Sequence, residues 1–184
     1  MTQTPLPDFG QNICVGRHEA NYTNEFRQIQ LGLQAITTPY VLVAESDCLY
    51  PPEYFQFKPT ELGKVYRFAN VWLHYYLDPN KQTLRFYFKK YSDGSQCIDR
   101  NIFLEQINKA LEGLSEWAVA GDPPLQSFAT RSDDKYSWYS DNPVITFKTR
   151  QGLSPHTMYK KNVPPVSTLP FWGSAADLRK ELFS

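Results

Sequence analysis

The sequence predicts a single α/β domain with a mixed, mostly parallel sheet and an antiparallel, aromatic-rich middle section. A strand–helix–strand pattern between residues 12 and 44 is typical of a parallel sheet. Runs of aromatic and β-branched residues between 65 and 91 are broken by turn residues, which favours hairpins. With 184 residues, the chain is long enough for one well-buried domain and short for two.

The strand–helix–strand pattern begins with residues 12–16 (NICVG), a short apolar run that stops at a glycine. Asn24 then opens a helical pattern, in which apolar side chains recur at the spacing of one helix face: Phe26, Ile29, Leu33 and Ile36. The helix is predicted to end before Pro39, because the residue that precedes a proline avoids the α region. The apolar run Tyr40–Ala44 predicts the next strand.

The later elements are predicted from runs of apolar residues and from caps. Three strands are expected, at residues 65–68, 71–76 and 84–91. Asp99 precedes an amphipathic helix and is a good N-cap residue. Residues 115–142 are rich in Asp, Ser and Pro, and connections of this length are usually functional. Val144–Lys148 predicts a further strand, and Ala175–Phe183 predicts a closing helix.

Composition and charge exclude several classes of protein. Apolar residues make up 41% of the chain, so it is globular and not disordered. Nineteen basic and nineteen acidic residues cancel, and net charge therefore gives no attraction to nucleic acid or membrane. The basic pairs Lys89-Lys90 and Lys160-Lys161 are interpreted as solvated faces. No apolar run reaches the roughly 20 residues of a membrane helix, and no signal peptide is expected at the N-terminus.

The cysteines and the missing motifs further restrict the classes of protein to which the chain can belong. Three cysteines without CxxC spacing predict reduced thiols and a cytoplasmic protein. The sequence contains no GxGxxG after a strand, no GxxxxGK[ST], no HExxH and no GxSxG. Dehydrogenase, P-loop NTPase, zincin and serine-hydrolase functions therefore lack support.

The most informative stretch is residues 41–52 (VLVAESDCLYPP), where an apolar strand ends in Glu45 and Asp47. Residues two apart in a strand face the same side, so both carboxylates can point at one ion. Hard divalent cations prefer carboxylate oxygens, and open α/β sheets bind ligands outside the strand ends. The two acids therefore predict a metal site. The alternative is an acidic turn that only solvates the strand end.

Other candidates flank this stretch. Arginine binds phosphate or a nucleobase edge bidentately, which suggests a role for Arg27 on the preceding helix beside Asn24. The alternative is a surface arginine without a role. His156 follows the last strand in a Gly/Ser/Pro loop with Ser154, where it could ligate a metal, contact a diphosphate or be an ordinary loop histidine.

A general base that deprotonates a hydroxyl group must be a positioned carboxylate or histidine. The candidates are Asp99, Glu116 and Asp122. Asp99 has the competing explanation of a helix N-cap. Asp122 lies in the long connection with no structural duty beyond a turn, and it is the candidate that we favour.

These residues resemble the nucleotide-sugar half of GT-A-fold, family-2-like glycosyltransferases, in a subgroup frequent in phages and bacteria. The resemblance is carried by NICVG (12–16), NEFRQ (24–28), AESDCLYPP (44–52) and NVPPV (162–166) through LPFWGS (169–174). It spans nearly the whole chain, strongly at both ends and weakly from 60 to 140. It implies a GT-A-like three-layer α/β/α fold, with a nucleotide-sugar and metal half at 1–60 and an acceptor half with a C-terminal lid at 61–184.

The resemblance also implies roles for the candidate residues. Asp47 would bind Mn²⁺ or Mg²⁺ together with Glu45 and His156. The nucleotide-sugar donor, with a UDP-sugar favoured, would contact Gly16, Asn24, Arg27, Glu45, Ser154 and His156. Asp122, or else Asp99, would act as the catalytic base toward a hydroxyl acceptor, for which a hydroxymethylated pyrimidine in phage DNA is one candidate.

Two departures from the family matter. The first strand and helix of the GT-A sheet have no counterpart before Met1, so the chain is either a natural minimal or split version of the fold or one that a second copy or a partner chain completes. Without such a partner, the sheet edge would be exposed. No clear motif marks the catalytic base. A non-catalytic binding module or partner subunit is therefore the main alternative, and a metal-dependent nucleotidyltransferase or phosphohydrolase is a third. No membrane partner is expected.

Overall fold

The structure, a computed structural model, describes residues 1–8, 10–75, 84–123, 125, 136–148 and 159–183. The chain is divided into two compact units. The first comprises residues 1–40 and 99–130, and the second comprises residues 41–98 and 131–184. The described part contains three α-helices and ten strands, which confirms the predicted α/β class.

Two of the helices belong to the first unit and one to the second. They are α1 (Tyr22–Ala35), α2 (Arg100–Ala110) and α3 (Ala175–Phe183). The first helix begins where the Asn21 side chain accepts a hydrogen bond from Asn24 N, which satisfies one of the orphan donors at a helix start. Within the first unit, the Arg100 guanidinium donates to the last turn of α1 at Leu33 O (2.8 Å). None of the described helices combines the length and apolar character needed to cross a membrane.

The strands are short, with two to five residues each. In chain order they are β1 (Tyr40–Leu42), β2 (Cys48–Leu49), β3 (Val65–Phe68), β4 (Val71–Tyr75), β5 (Phe86–Lys90), β6 (Gln96–Asp99), β7 (Ser137–Trp138), β8 (Val144–Lys148), β9 (Thr168–Leu169) and β10 (Gly173–Ser174). A 3₁₀ helix, Pro52–Gln56, follows β2.

The strands form two four-stranded sheets and a hairpin, with orders β1-β6-β3-β7, β2-β8-β4-β5 and β10-β9. Among the strand pairs with a defined register, β3–β7 and β4–β8 are parallel and the others are antiparallel. The predicted single, mostly parallel GT-A sheet is therefore wrong. The physical reason is that short turns return the chain antiparallel, whereas each parallel pairing needs a long crossover.

The predicted first strand is also absent. Residues 12–16 form only an isolated bridge between Cys14 and Thr2, and the segment ends at Gly16 with φ of +82°. The helix α1 and the strand β1 are present, so the strand–helix–strand unit lacks its first strand. The antiparallel, aromatic-rich middle section is confirmed, because β4 pairs with β5 and β3 pairs with β6 in that sense.

The two faces of the second sheet are covered differently. One face packs against the hairpin and α3 through buried apolar side chains: Phe86, Ile145, Phe147, Leu169, Ala175 and Leu178. His74 lies on this face with no exposed surface, and it contacts Ala175 O through Nε2 at 3.4 Å. The other face carries Leu73, Tyr75 and Tyr87, with Tyr159 packed against them.

Candidate functional site

The two acids of the AESDC stretch lie in a turn that joins the two sheets. β1 ends at Leu42 and β2 begins at Cys48. Cys48 N donates to Glu45 O at 3.3 Å, which closes a four-residue turn over residues 45–48. Glu45 and Asp47 are therefore brought together by this turn and not by the alternation of a strand, and β1 ends at Leu42, two residues before the predicted end at Ala44.

The acidic cluster consists of Glu45, Asp47 and Cys48, whose potential ligand atoms all lie within 4.8 Å of one another. Asp47 is exposed, and its backbone carbonyl accepts a hydrogen bond from Phe147 N at 2.8 Å. The turn is thus anchored to β8 on one side, while the Asp47 carboxylate remains directed to solvent.

Cys48 contributes a neutral thiol to this cluster. Burial raises the pKa of the thiol to about 12, and the negative charges of Asp47 and Glu45 add to the increase. Its Sγ donates to Asp47 Oδ1 at 3.6 Å. Glu45 and Asp47 supply two carboxylates beside this thiol. That set fits a hard divalent cation, which binds through one or two carboxylates and completes its shell with water or phosphate oxygens.

Two tyrosines hold the backbone at this turn. The Tyr50 hydroxyl accepts a hydrogen bond from Glu45 N at 2.8 Å and donates one to Gly94 O at 2.6 Å. Tyr54 is fully buried, and its hydroxyl donates to Val43 O at 2.5 Å. Burial raises the pKa of both phenols, so they remain protonated donors. The backbone at Val43 and Glu45 is consequently held by these two side chains.

Gly94 leaves room for the close approach of the Glu45 side chain. A Cβ atom at this position would lie 2.5 Å from Glu45 Cδ and 3.0 Å from Glu45 Cγ. Any larger residue at position 94 would therefore displace the carboxylate. Gly94 also lies in the turn before β6, and its place beside Glu45 is visible only in the tertiary structure.

Two lysines add positive charge near the acidic cluster. Lys89 donates from Nζ to Ser92 Oγ at 3.0 Å. Burial lowers the pKa of its amine and the neighbouring charge of Lys148 lowers it further, whereas Asp93, Cys48 and Glu45 act in the opposite direction. The expectation of a solvated lysine is therefore wrong for Lys89.

Sheet geometry explains why these lysines approach the cluster. Cys48 pairs with Thr146 across β2 and β8, and Lys148 lies two residues further along β8, so Lys148 and Cys48 share a face. On β5, a register shift opposite Val71–Trp72 marks a bulge, and Lys90 beside it has φ of +79°. A bulge redirects side chains and is frequent next to active sites. Sequence alone offers only the Lys-Lys pair as a signal.

Asn24 and Arg27, which the resemblance predicts to contact the nucleotide-sugar donor, make hydrogen bonds within the first unit. Asn24 is buried, donates to Ala118 O at 2.8 Å and accepts from Ala118 N at 2.8 Å. The Arg27 guanidinium donates to Leu114 O (2.9 Å) and Ser115 O (3.0 Å), just beyond α2. Gly16 lies in a turn conformation with no heavy atom near its would-be Cβ. The contacts of Gly16, Asn24 and Arg27 with a nucleotide-sugar donor stay predictions.

Two of the three candidate bases, Asp99 and Asp122, also have structural roles, and the third, Glu116, is exposed. Asp99 is buried and caps α2, because Oδ1 accepts from Asn101 N (3.0 Å) and Ile102 N (3.2 Å). Asp122 Oδ2 accepts from Val119 N at 3.0 Å and closes a local turn. Ser154 and His156 lie outside the described residues. Of the predicted site residues, the structure thus brings together Glu45 and Asp47.

Comparison of the chain with protein-family models, with curated proteins and with solved structures found no match.

Proposed function

We propose that the protein is a metal-dependent glycosyltransferase that moves a sugar from a nucleotide-sugar donor to a hydroxyl acceptor. The observation that carries the proposal is the pair of carboxylates, Glu45 and Asp47, whose oxygens come within 4.8 Å of each other at an anchored turn. The resemblance of the AESDC stretch to the acidic motif of GT-A enzymes supports the same function.

The residues present suit a cation and a diphosphate together. A bound Mn²⁺ or Mg²⁺ would neutralise negative charge on the diphosphate leaving group. Asp47 is exposed and would hold the cation, while Glu45, fixed by Tyr50, would orient it or its water. Lys89 and Lys148 would face the phosphate oxygens from the adjacent sheet face, since ammonium groups bind phosphate as point charges.

The reaction would break the bond between the sugar C1 and the diphosphate oxygen and form a bond between C1 and the acceptor oxygen. The nucleoside diphosphate leaves with the bonding electron pair, and the acceptor proton passes to a carboxylate base. Asp122 remains our first candidate for that base and Asp99 the second. Hydroxymethylated pyrimidines in DNA are the acceptors to test first.

The direct test is ligand-dependent thermal stability of the full chain. With Mn²⁺ and a UDP- or GDP-sugar at about 100 times its Kd, we expect the Tm to rise by roughly 5–10 °C. Asp47→Asn should abolish this rise. Asp141→Asn is the matched control, because Asp141 is exposed in the same unit and outside the acidic cluster.

Turnover separates the proposal from its alternatives. Release of a nucleoside diphosphate from the stabilising sugar donor, lost in Asp47→Asn, supports transfer. Stabilisation without release indicates a non-catalytic binding module, and pyrophosphate release from a nucleoside triphosphate indicates a nucleotidyltransferase. If no nucleotide sugar raises the Tm with metal present, the proposal is wrong.

A further inference from the structure

A fully buried histidine lies between the second sheet and the last elements of the chain. His74 has no exposed surface, and its ring packs against Phe86 of β5 and Phe147 of β8, with ring centroids 5.5 Å and 5.6 Å away. It also contacts the C-terminal segment, residues 166–183, which contains β9, β10 and α3. Because histidine is the side chain whose charge ordinarily changes between pH 5 and 8, a buried histidine at such a junction is a candidate pH sensor.

The surroundings of the imidazole suit its neutral form. Nε2 lies 3.4 Å from Ala175 O, and since a carbonyl oxygen can only accept, Nε2 carries the proton of the neutral ring. Nδ1 is buried and has no hydrogen-bond partner in the described part of the chain. Protonation of His74 would add an N–H group at Nδ1, and a buried donor without an acceptor is costly.

The charges on the elements packed against His74 also oppose a cation there. Burial lowers the pKa of His74 and the positive charge of Arg179 on α3 lowers it further, whereas the carbonyls of Ala175 and of His74 itself act in the opposite direction. The α3 helix begins at Ala175, so the positive end of its dipole lies beside the ring. The charged residues of β5 and β8 are all lysines, namely Lys89, Lys90 and Lys148. The remaining charged residues of α3 are exposed, namely Asp177, Lys180 and Glu181.

The C-terminal segment is joined to the second sheet by local contacts. In the described part of the chain, the β9–β10 hairpin forms a sheet of its own and adds no strand to either four-stranded sheet. Its hydrogen bonds to the rest of the unit include the exchange between Phe86 and Val166 (2.7 Å and 3.0 Å) and the bond from Trp172 Nε1 to Pro143 O (2.6 Å). By contrast, β4 and β8 pair over five residues inside the sheet. A terminal element held in this way is expected to open locally before the sheet unfolds.

The hairpin also contains a strained residue. Phe171, in the turn between β9 and β10, has φ of +65°, a left-handed conformation that is unfavourable for a residue with a bulky side chain. Its side chain is 59% exposed, so little burial offsets this strain. Strained backbone persists where surrounding contacts maintain it, and it is typical of switch regions. Opening of the C-terminal segment would release the strain.

We propose that His74 is the sensor of a pH-sensitive latch, in which protonation of the ring releases the C-terminal segment from the second sheet. In the closed form the neutral ring donates to Ala175 O. In the open form the ring reaches water, and Nδ1 can bind a proton. Acid therefore favours the open form, because only the open form accommodates the cation. Opening uncovers the apolar side chains of the sheet beneath the segment, namely Phe86, Ile145 and Phe147.

The latch goes beyond the glycosyltransferase proposal and does not require it. Cys48 of the acidic cluster pairs with Thr146, whose side chain points to the opposite face of the sheet from that of Phe147. His74 therefore lies across the sheet from the acidic cluster. The latch is tested without metal or nucleotide, so the two proposals can fail separately.

The test is hydrogen exchange of the full chain between pH 8 and pH 5, followed by NMR and corrected for the intrinsic pH dependence of exchange. The Val166 amide and the Trp172 indole N–H report opening, because both donate to acceptors outside the segment. If His74 in the open form has its ordinary pKa of 6.5, the opening equilibrium should rise about 30-fold at pH 5, which lies about 1.5 units lower. At every pH, both groups should be less protected than the amides that pair β4 with β8.

Matched variants assign the effect to one ring. His74→Leu should remove the 30-fold change, because leucine fills an apolar site and does not titrate. His18→Leu is the control, since His18 is a half-buried histidine of the first unit, and it should leave the change intact. If His74→Leu does not fold, the imidazole ¹⁵N signals of the unaltered protein at pH 6 decide, and they should show a neutral His74 ring protonated at Nε2.

Three results would overturn the latch. Protection of the Val166 amide and the Trp172 indole equal to that of β4 and β8 at every pH would mean that only global unfolding exposes them. A pH-dependent change that persists in His74→Leu would assign the sensor to another group. A charged His74 ring in the native protein at pH 6 would show that the closed form accommodates the cation.

Discussion

Gly94→Ala perturbs the proposed metal site through a single, well-defined contact. The new Cβ would lie 2.5 Å from Glu45 Cδ, whereas ordinary van der Waals contact begins near 3.4 Å, so the carboxyl group must move by about 0.9 Å (3.4 − 2.5). The backbone tolerates alanine, because Gly94 is not among the positive-φ glycines. Gly→Ala changes at compatible positions stabilise a protein by about 0.4–1 kcal/mol. We therefore expect folding to be nearly unchanged.

Metal binding should respond much more strongly than folding. Metal sites lose roughly 10- to 100-fold in affinity when the groups that orient a ligand are removed, so we expect Mn²⁺ to bind at least about tenfold more weakly, or about 1.4 kcal/mol. The assay is a Mn²⁺ titration in which the free ion is measured by electron paramagnetic resonance, together with thermal unfolding of the same samples.

Two controls test whether the effect acts through Glu45. Gly32→Ala is the matched substitution in α1, where the new Cβ meets only the flexible Met1 side chain, and it should leave Mn²⁺ affinity unchanged. In a Glu45→Ala background, Gly94→Ala should cause no further loss, because the group it displaces is absent. Equal losses in both backgrounds, or full affinity in Gly94→Ala alone, would refute the reasoning.

Two further predictions concern stability and reactivity. Burial lowers the pKa of His74 from 6.5, so just below pH 6.5 the unfolded chain binds a proton that the folded protein does not. The contribution of His74 to the free energy of unfolding should therefore be fully present above pH 6.5. Below pH 6.5 the free energy of unfolding should fall by at most about 1.4 kcal/mol per pH unit. His74→Leu should flatten this slope in urea unfolding measured between pH 7 and 5, and an unchanged slope would assign it to other groups. Among the cysteines, exposed Cys14 should react rapidly with a thiol reagent, while buried Cys48 and Cys97, whose pKa values are raised to about 12, should react only on unfolding. Three rapidly reacting thiols in the native protein would contradict this.

Local sequence signals predicted several elements with accurate bounds. Val65–Phe68, Val144–Lys148 and Ala175–Phe183 form the expected strands and helix. Asp99 caps α2 as its sequence context predicts. These elements are specified by apolar periodicity and by end residues, which act within a few positions along the chain.

The shortest strands are not predicted from the sequence. The two-residue strands β2, β7, β9 and β10 are too brief to show any periodicity, and they exist because a neighbouring strand pairs with them. The prediction of a single, mostly parallel sheet is wrong for a related reason. Strand direction and register are set by long-range pairing and turn geometry, which a single sequence does not display.

In the acidic stretch, too, the sequence predicts the residue types, whereas the tertiary structure decides how the residues meet. Glu45 and Asp47 were identified from an apolar run that ends in two carboxylates, and chemistry alone makes them metal-ligand candidates. The tertiary structure decided how they meet, through a turn between two sheets that Tyr50 and Gly94 hold in place. It also brought Lys89 toward them from a distant strand.

The sequence by itself determined the α/β class, the helices and the acids of the candidate site, because these follow from residue type and local spacing. Only the tertiary structure decided which strands pair, which side chains become buried and which aromatic residues gather around His74. Those outcomes depend on contacts between residues far apart in the chain, and their energies arise only when the chain has folded.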